Sequence, residues 1–507
     1  MHCMNTARSH FRAFCFISIA LIPVIGQSQP VPLPVPMPVP MPVVTGPIPV
    51  TQNSYPFLQA ERTQTPIDLA QAGYVEEEFF ISGQANIYDW ALDGSLSIDT
   101  ANAPYTTRIL VRRPGNPARF SGTVIVETVN NARRYDWAFI WGLSYQQFLD
   151  NGDAYVAVTH APPAIDALKT FDPQRYSTLS FANPNPAQTC GAQNETADDE
   201  EGLKWDMISQ VGALLKSGTG PLAGFDVKAI YATTHTRELT TYVNSVHRIA
   251  TLADGGPVYD GFVIKSEYAP ADRISRCAPT PENGDPRQIV RNSRVPVIRV
   301  TAQGDVLATY SVRREDSDDP SDMYRLWEVA GAPHMDKIYY DHMPVLEDQS
   351  KAGQTPMLAN WPMAYACTPD IDLLDFPIMR YTINAAFAAV DQWAQRGIAP
   401  PRATRIGVRN GGTEDAAYIN DEHGNASGGV RSPYLDVPAA TYQVHSSGPA
   451  VCNNLGRATP FSWATLEALY GNSDNYANQV KSSLDSLVEQ GWVRPGDSSK
   501  ILDELLQ

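Results

Sequence analysis

Three short stretches carry side chains that could share a proton. VPVIRVTAQ runs into Gly304 and Asp305, MYRLWEVAGAP runs into His334, and VKAIYAT runs into the polar cluster Thr233, Thr234, His235 and Thr236. A hydroxyl, a carboxylate and an imidazole in that chain order are the parts of a nucleophilic set. The imidazole takes the proton of the attacking hydroxyl, and the carboxylate fixes its tautomer and stabilises the imidazolium. Taken singly, each has a plainer role: Asp305 after Gly304 suits a turn, and His334 after Ala-Pro suits a surface loop. Their order, and the place of each after a strand-like run, favour the chemical reading for Asp305 and His334.

Residues so far apart need a scaffold whose element ends converge. Between 76 and 130 the runs EEFFISG, TRILVRR and GTVIVETV are β-branched and bounded by Gly, Pro and Asn, as strands are. AYVAVTHAP (154–162) is a nearly continuous apolar run, the mark of a strand buried on both faces. WDMISQVGALLK (205–216) predicts a helix, VKAIYAT (227–233) a strand, ELTTYVNSVHRIATL a helix, and YDGFVIKSE, VPVIRVTA and MYRLWEVA three further strands. This alternation predicts an α/β fold, a mostly parallel sheet with helices on both faces. Ligands then bind beyond the carboxyl ends of the strands, which is where the three stretches lie. Nucleophile, acid and histidine also follow one another as in α/β-hydrolases.

Composition narrows the rest. The 507 residues are 43% hydrophobic and 9% aromatic, which excludes a disordered or fibrous chain. Thirty-eight Lys+Arg against 55 Asp+Glu give a net charge of −17, which argues against nucleic acid as a partner. Arg8 and Arg12 precede an apolar run, Phe14 to Gly26, with small residues at Gly26 and Ser28. Residues 1–28 read as a cleaved export signal, with an uncleaved anchor as the alternative. The expected location is periplasmic or extracellular, with no membrane contact after cleavage. QPVPLPVPMPVPMPVVTGPIPVT (29–51) has proline at nearly every second position and reads as a polyproline II spacer outside ladder and helix. That leaves 52–507 as a single elaborated domain. Cys190, Cys277, Cys367 and Cys452 form an even set suited to an oxidising compartment, with three possible pairings. They lack a C-x-x-C, no phosphate-binding or dinucleotide fingerprint follows a strand, and no metal or cofactor is expected. Asp198–Glu201 reads as a solvated acidic loop, and Asn194-Glu195-Thr196 is a glycosylation sequon.

The runs LTTYVNSVH, YDGFVI, VPVIRV with Gln-Gly-Asp305, and YRLWEVAGAPH resemble the exported bacterial and fungal α/β-hydrolase-domain proteins, whose substrates are mostly unassigned. The resemblance extends to GTVIVETVN and DPQRYSTL upstream, and to GIAPP (397–401) and HGNASGGVRSPYLDVP (423–438) downstream. It implies an α/β-hydrolase fold elaborated by N- and C-terminal additions, with Asp305 and His334 in the triad. It also implies Asn130 in the loop where the oxyanion hole is assembled; a side chain capping a turn is the alternative. GNASGGV would be a substrate-facing loop or only a turn, and Tyr135, Trp137 and Trp141 an acyl-pocket wall or core.

The departure lies at the nucleophile. Members carry a G-x-S-Q-S/T-like elbow, whereas Tyr231 to Leu239 holds neither serine nor glycine. Alignment from the strand side selects Thr236, alignment from the helix side selects Thr233, and small flanking residues select Thr234. A threonine can attack, but its β-methyl restricts χ1 and crowds the approach. His235 replaces the family glutamine and could bind an anion or act as a base. The implied activity is hydrolysis of a carboxylic ester or related acyl bond of a small molecule. The alternative is a binding or scaffold protein that keeps the fold and has lost the chemistry.

Overall fold

The aliphatic and β-branched runs assemble side by side. The computed structural model describes residues 36–91, 94–190, 197–235, 237–265, 271–282, 284–355, 367 and 378–506. Its main strands are β1 (Val43–Thr45), β2 (Tyr74–Trp90), β3 (Leu96–Pro114), β4 (Thr123–Thr128), β5 (Ala154–Val158), β6 (Ala229–Thr234), β7 (Gly261–Lys265), β8 (Val297–Ala302) and β9 (Tyr324–Val329). They form one sheet in the order β9-β8-β7-β6-β4-β5-β3-β2-β1. Strands β4 to β9 are parallel, and β3, β2 and β1 extend the sheet antiparallel.

Side chains alternate between the two faces of a strand, so β6 sends Ala229 and Tyr231 to one core and Ile230 and Ala232 to the other. The helices α1 (Phe139–Asn151), α2 (Pro162–Phe171), α3 (Lys204–Lys216), α4 (Glu238–Asn244) and α5 (Ile378–Arg396) divide accordingly. Ile140, Trp141, Leu168 and Phe387 of α1, α2 and α5 fill the first core. Ile208, Val211, Leu239 and Tyr242 of α3 and α4 fill the second. The expected parallel sheet with helices on both faces is therefore present. Downstream of α5, a hairpin (Ala440–Gln443 with Arg457–Pro460) precedes α6 (Trp463–Tyr470), α7 (Ser473–Glu489) and α8 (Pro495–Leu506). This addition is held by Tyr381 of α5 packing on Leu484, Leu487 and Ile501. Among the described residues no helix is long and apolar enough to cross a membrane.

One buried carboxylate ties α1 to the sheet. Glu127 Oε1 accepts from Ile140 N at 3.0 Å, and its Oε2 accepts from Trp141 N at 3.0 Å and the Tyr155 hydroxyl at 2.6 Å. The first amides of a helix have no intrahelical partner, and Ala138 at the N-cap supplies no side-chain acceptor. Burial pushes this carboxyl up to about 7, against the lowering effect of the three donors.

Several expectations change. The spacer assigned to 29–51 is corrected for residues 36–51: Val43–Thr45 is the edge strand, paired with Phe80–Ser82, so the domain starts before residue 52. Further upstream Met37 N donates to Ile249 O at 2.6 Å and Val39 N to Thr251 O at 2.9 Å. Proline at alternate positions turns every missing N–H to one side and leaves the intervening residues free to donate on the other, which suits an edge. The helix expected over ELTTYVNSVHRIATL ends at Asn244, where the Ser245 hydroxyl bonds back to Thr241 O and a 3-10 turn, Val246–Arg248, follows. The disulfides pair Cys190 with Cys277 and Cys367 with Cys452. Glu200 is buried and accepts from Gly202 N and Arg276 N, so the solvated reading of the acidic run fails at this residue, while Asp198 is exposed. The expected export signal and the sequon lie outside the described residues.

Two outcomes follow from this packing. Glu127→Ala leaves two buried amides and a buried hydroxyl without their acceptor, at roughly 1–3 kcal/mol each; its urea midpoint should fall well below that of the wild type, and an unchanged midpoint would refute the role. A chain beginning at Gln52 loses the β1 pairing and should melt below one beginning at Pro36, whereas equal melting temperatures would restore the spacer reading.

Candidate active site

Asp305 sits in a short helical turn, Gln303–Val306, directly after β8 and has no exposed surface. The turn is pinned to the loop after β9: Gln303 Oε1 accepts from Gly331 N at 2.7 Å, and Gly304 N donates to Ala332 O at 3.1 Å. A side chain at Gly304 would stand 2.9 Å from His334 N, so glycine is what lets the two loops meet. There His334 Nδ1 lies 2.7 Å from Asp305 Oδ1. An Nδ1–H donating to a carboxylate leaves Nε2 as the basic nitrogen, which is the tautomer a general base requires.

A third charged group was missed in the sequence. Lys265, the last residue of β7 and fully buried, places Nζ 3.8 Å from Asp305 Oδ2 and 3.5 Å from the His334 carbonyl oxygen. The only signal is a lysine closing an otherwise apolar strand, which reads equally well as a surface residue.

The polar cluster after β6 is split by the strand end. Thr233 and Thr234 are strand residues, in register with Glu127 and Thr128 of β4, and both are fully buried. Thr233 falls on the α1 face beside Glu127. Thr234 falls on the α3 and α4 face, and its Oγ1 donates to Thr128 O at 3.2 Å. Neither stands in the turn that an elbow needs, which counts against the helix-side and steric alignments. His235 follows the strand end and Arg237 precedes α4; Thr236, between them in the sequence, lies outside the described residues.

His235 is in the turn and buried, its ring 4.4 Å from Phe139, 5.3 Å from Tyr339 and 5.3 Å from His334 between centroids. Burial, then the charges of Lys265 and His334, push this imidazole well below its usual range. Its neutral form is favoured, which makes it a weak proton acceptor. Asn130 does what its plainer reading held: Oδ1 accepts from Ala132 N at 2.8 Å, closing a turn. Its Nδ2 also donates to His235 O at 3.1 Å, which joins the loop after β4 to the elbow. Tyr135, Trp137 and Trp141 are core residues, and Trp137 stacks on Phe139. Gly428 and Gly429 of GNASGGV have positive φ, and Cβ atoms there would meet Arg405 O and Glu328 O at 2.2 and 2.6 Å, so that loop packs against the sheet edge at β9.

A second imidazole–carboxylate pair flanks the elbow. His160, after β5, and Glu238, the first residue of α4, are both buried and 2.9 Å apart. Beside them Asn130, Asn131, Arg237, Glu238, Lys204 and Asp272 line a cavity of about 200 Å³ at the carboxyl ends of the parallel strands. Its polar walls are fixed by pairs such as Lys204 with Asp272 at 2.5 Å. Among the described residues no cluster of three or more His, Cys, Asp or Glu is placed to hold a metal ion.

The family model described as an alpha/beta hydrolase domain matches residues 44–503. No curated protein matches the sequence. The chain is similar to two fungal esterases from Rhizomucor miehei at 10% identity, covering 66% of this chain and 92% of theirs with a TM-score of 0.30. It is similar to esterase Est22 at 12% identity, over 56% and 79% of the two chains, with a TM-score of 0.28. A third likeness is to the glucuronoyl esterase from Solibacter usitatus, at 9% identity over 55% and 80% with a TM-score of 0.25. With a family match across almost the entire sheet and the chain order of its strand-end residues, this protein belongs to the alpha/beta hydrolase domain family.

Proposed function

We propose that this chain is an exported hydrolase that cleaves a carboxylic ester or related acyl bond of a small molecule. The observation that carries the reading is the 2.7 Å bond between His334 Nδ1 and Asp305 Oδ1, formed at the ends of neighbouring parallel strands. Thr236, between His235 in the turn and Arg237 before α4, is the nucleophile in this reading. Its hydroxyl attacks the acyl carbon as His334 Nε2 takes the proton, and the imidazolium then returns that proton to the leaving alkoxide. Asp305 orients the ring and stabilises its charge. Backbone amides of the loop after β4, braced by Asn130, and of the elbow answer the charge on the oxyanion. Water then enters by the same base and releases the acid.

The competing reading, a binding protein that has lost the chemistry, is favoured by one feature: the elbow carries Thr236 and a buried Glu238 where the family has serine and a small residue. A panel of p-nitrophenyl esters separates the two. His334→Ala and Asp305→Asn should each lower kcat by at least about 10³-fold. Thr236→Ala should abolish turnover, and Thr236→Ser, which removes the crowding methyl, should match or exceed the wild type. An inactive wild type with saturable ligand binding would establish the binding protein, and full activity in Thr236→Ala would overturn the nucleophile.

Export is supported by the basic and apolar N-terminal sequence and by two disulfides, which persist in oxidising compartments. Mass spectrometry of protein recovered outside the cytoplasm should find an N-terminus at Gln29; an intact Met1 there, or protein confined to the cytoplasm, would contradict cleavage.

A further inference from the structure

We propose that Lys265 is a positioning residue of the Asp305–His334 pair, a buried cation that answers the second oxygen of Asp305 and eases the departure of a proton from the imidazole. The inference deepens the hydrolase reading and rests on it for its function. A buried carboxylate beside an imidazole tends to hold the proton on the imidazole, because the pair is then neutral overall and losing the proton leaves a lone buried anion. A buried cation reverses the balance. With Lys265 charged, the group of Lys265, Asp305 and His334 carries one positive charge when the imidazole is protonated and is neutral when it is not. Without that charge the same step runs from neutral to negative. In surroundings that penalise net charge, the first step is the easier one. The proton therefore leaves His334 more readily with Lys265 present, and the two titrations belong to the group and not to one residue.

The geometry suits this role. The Lys265 Nζ lies on the Oδ2 side of Asp305, at 3.8 Å, while His334 Nδ1 takes Oδ1. Its contact with the His334 carbonyl oxygen, 3.5 Å, ties the ammonium to the backbone of the residue whose ring it serves. The Tyr339 ring, 5.7 Å from Nζ, covers the cation on a third side. The other ionisable groups facing this cluster come from separate elements: His235 from the elbow, Arg299 from β8, and Tyr418, whose hydroxyl donates to Gln303 O. Arg299 stands within β8, upstream of the turn that carries Asp305, while the Lys265 Nζ lies directly on the Oδ2 side of the carboxylate.

The test uses histidine-labelled full-length protein and follows the His334 imidazole by NMR, its signal assigned by loss in His334→Ala. Lys265→Met should raise the His334 midpoint by about one unit or more, and Lys265→Arg, which keeps the charge, should leave it near the wild type. Lys265→Gln provides the neutral variant should the methionine variant fail to fold. The acid limb of kcat/KM should move upward in parallel, so that a neutral variant loses activity most at low pH and recovers it as pH rises. A midpoint that does not move in a folded neutral variant overturns the proposal, as does an equal loss of activity at every pH. An inactive wild type would sink the hydrolase reading alone, since the titration still decides what Lys265 does.

Discussion

A carboxylate sealed from water must have its charge answered close by, and Asp305 is sealed completely. Its two oxygens are answered from two directions, by His334 on one side and Lys265 on the other. Each partner comes from the end of a strand next to β8, since β7 and β9 flank it in the sheet. Parallel strands in register end together, so the sheet delivers all three groups to one edge without a long connecting loop. Gly304 then decides whether the loops can close, because a side chain there would run into the His334 amide.

The other half of the site is held by the loop after β4 and the turn after β6. Asn130 joins them through the His235 carbonyl, and His235 in turn packs against the ring of His334. The aromatic stack from Trp137 to Phe139 continues into His235, so the His334 ring rests on a wall that begins in the core. Glu127 fixes the start of α1 beneath that wall. The carboxylate that anchors α1 therefore anchors the helix end that carries Phe139.

Asp305 and His334 could be read as strand-end residues because they follow the strand-like runs VPVIRVTA and YRLWEV, and such runs end where a parallel sheet puts its ligand site. The alternation of strand and helix gave the fold class for the same reason. Lys265 was not legible: a lysine at the end of an apolar strand reads as solvent-facing, and only the return of β8 beside β7 reveals the carboxylate it meets. The His160–Glu238 pair spans 78 positions and depends on β5 and α4 converging. The proline-rich segment was misread because proline was weighed for the donor it lacks and not for the alternate residues that keep theirs. The threonine cluster resisted for a different reason. Three alignments of four polar residues cannot be separated by residue type, but strand register separates Thr233 and Thr234 from the turn.

The central claim is that Asp305 and His334 activate a hydroxyl at the elbow. Labelling with a fluorophosphonate tests it most directly, since an activated hydroxyl attacks phosphorus and expels fluoride, and an ordinary threonine does not. Peptide mass spectrometry should locate a stoichiometric phosphonyl adduct on Thr236 in the wild type and find none in His334→Ala. No adduct in the wild type, or one that persists when His334 is removed, would contradict the account.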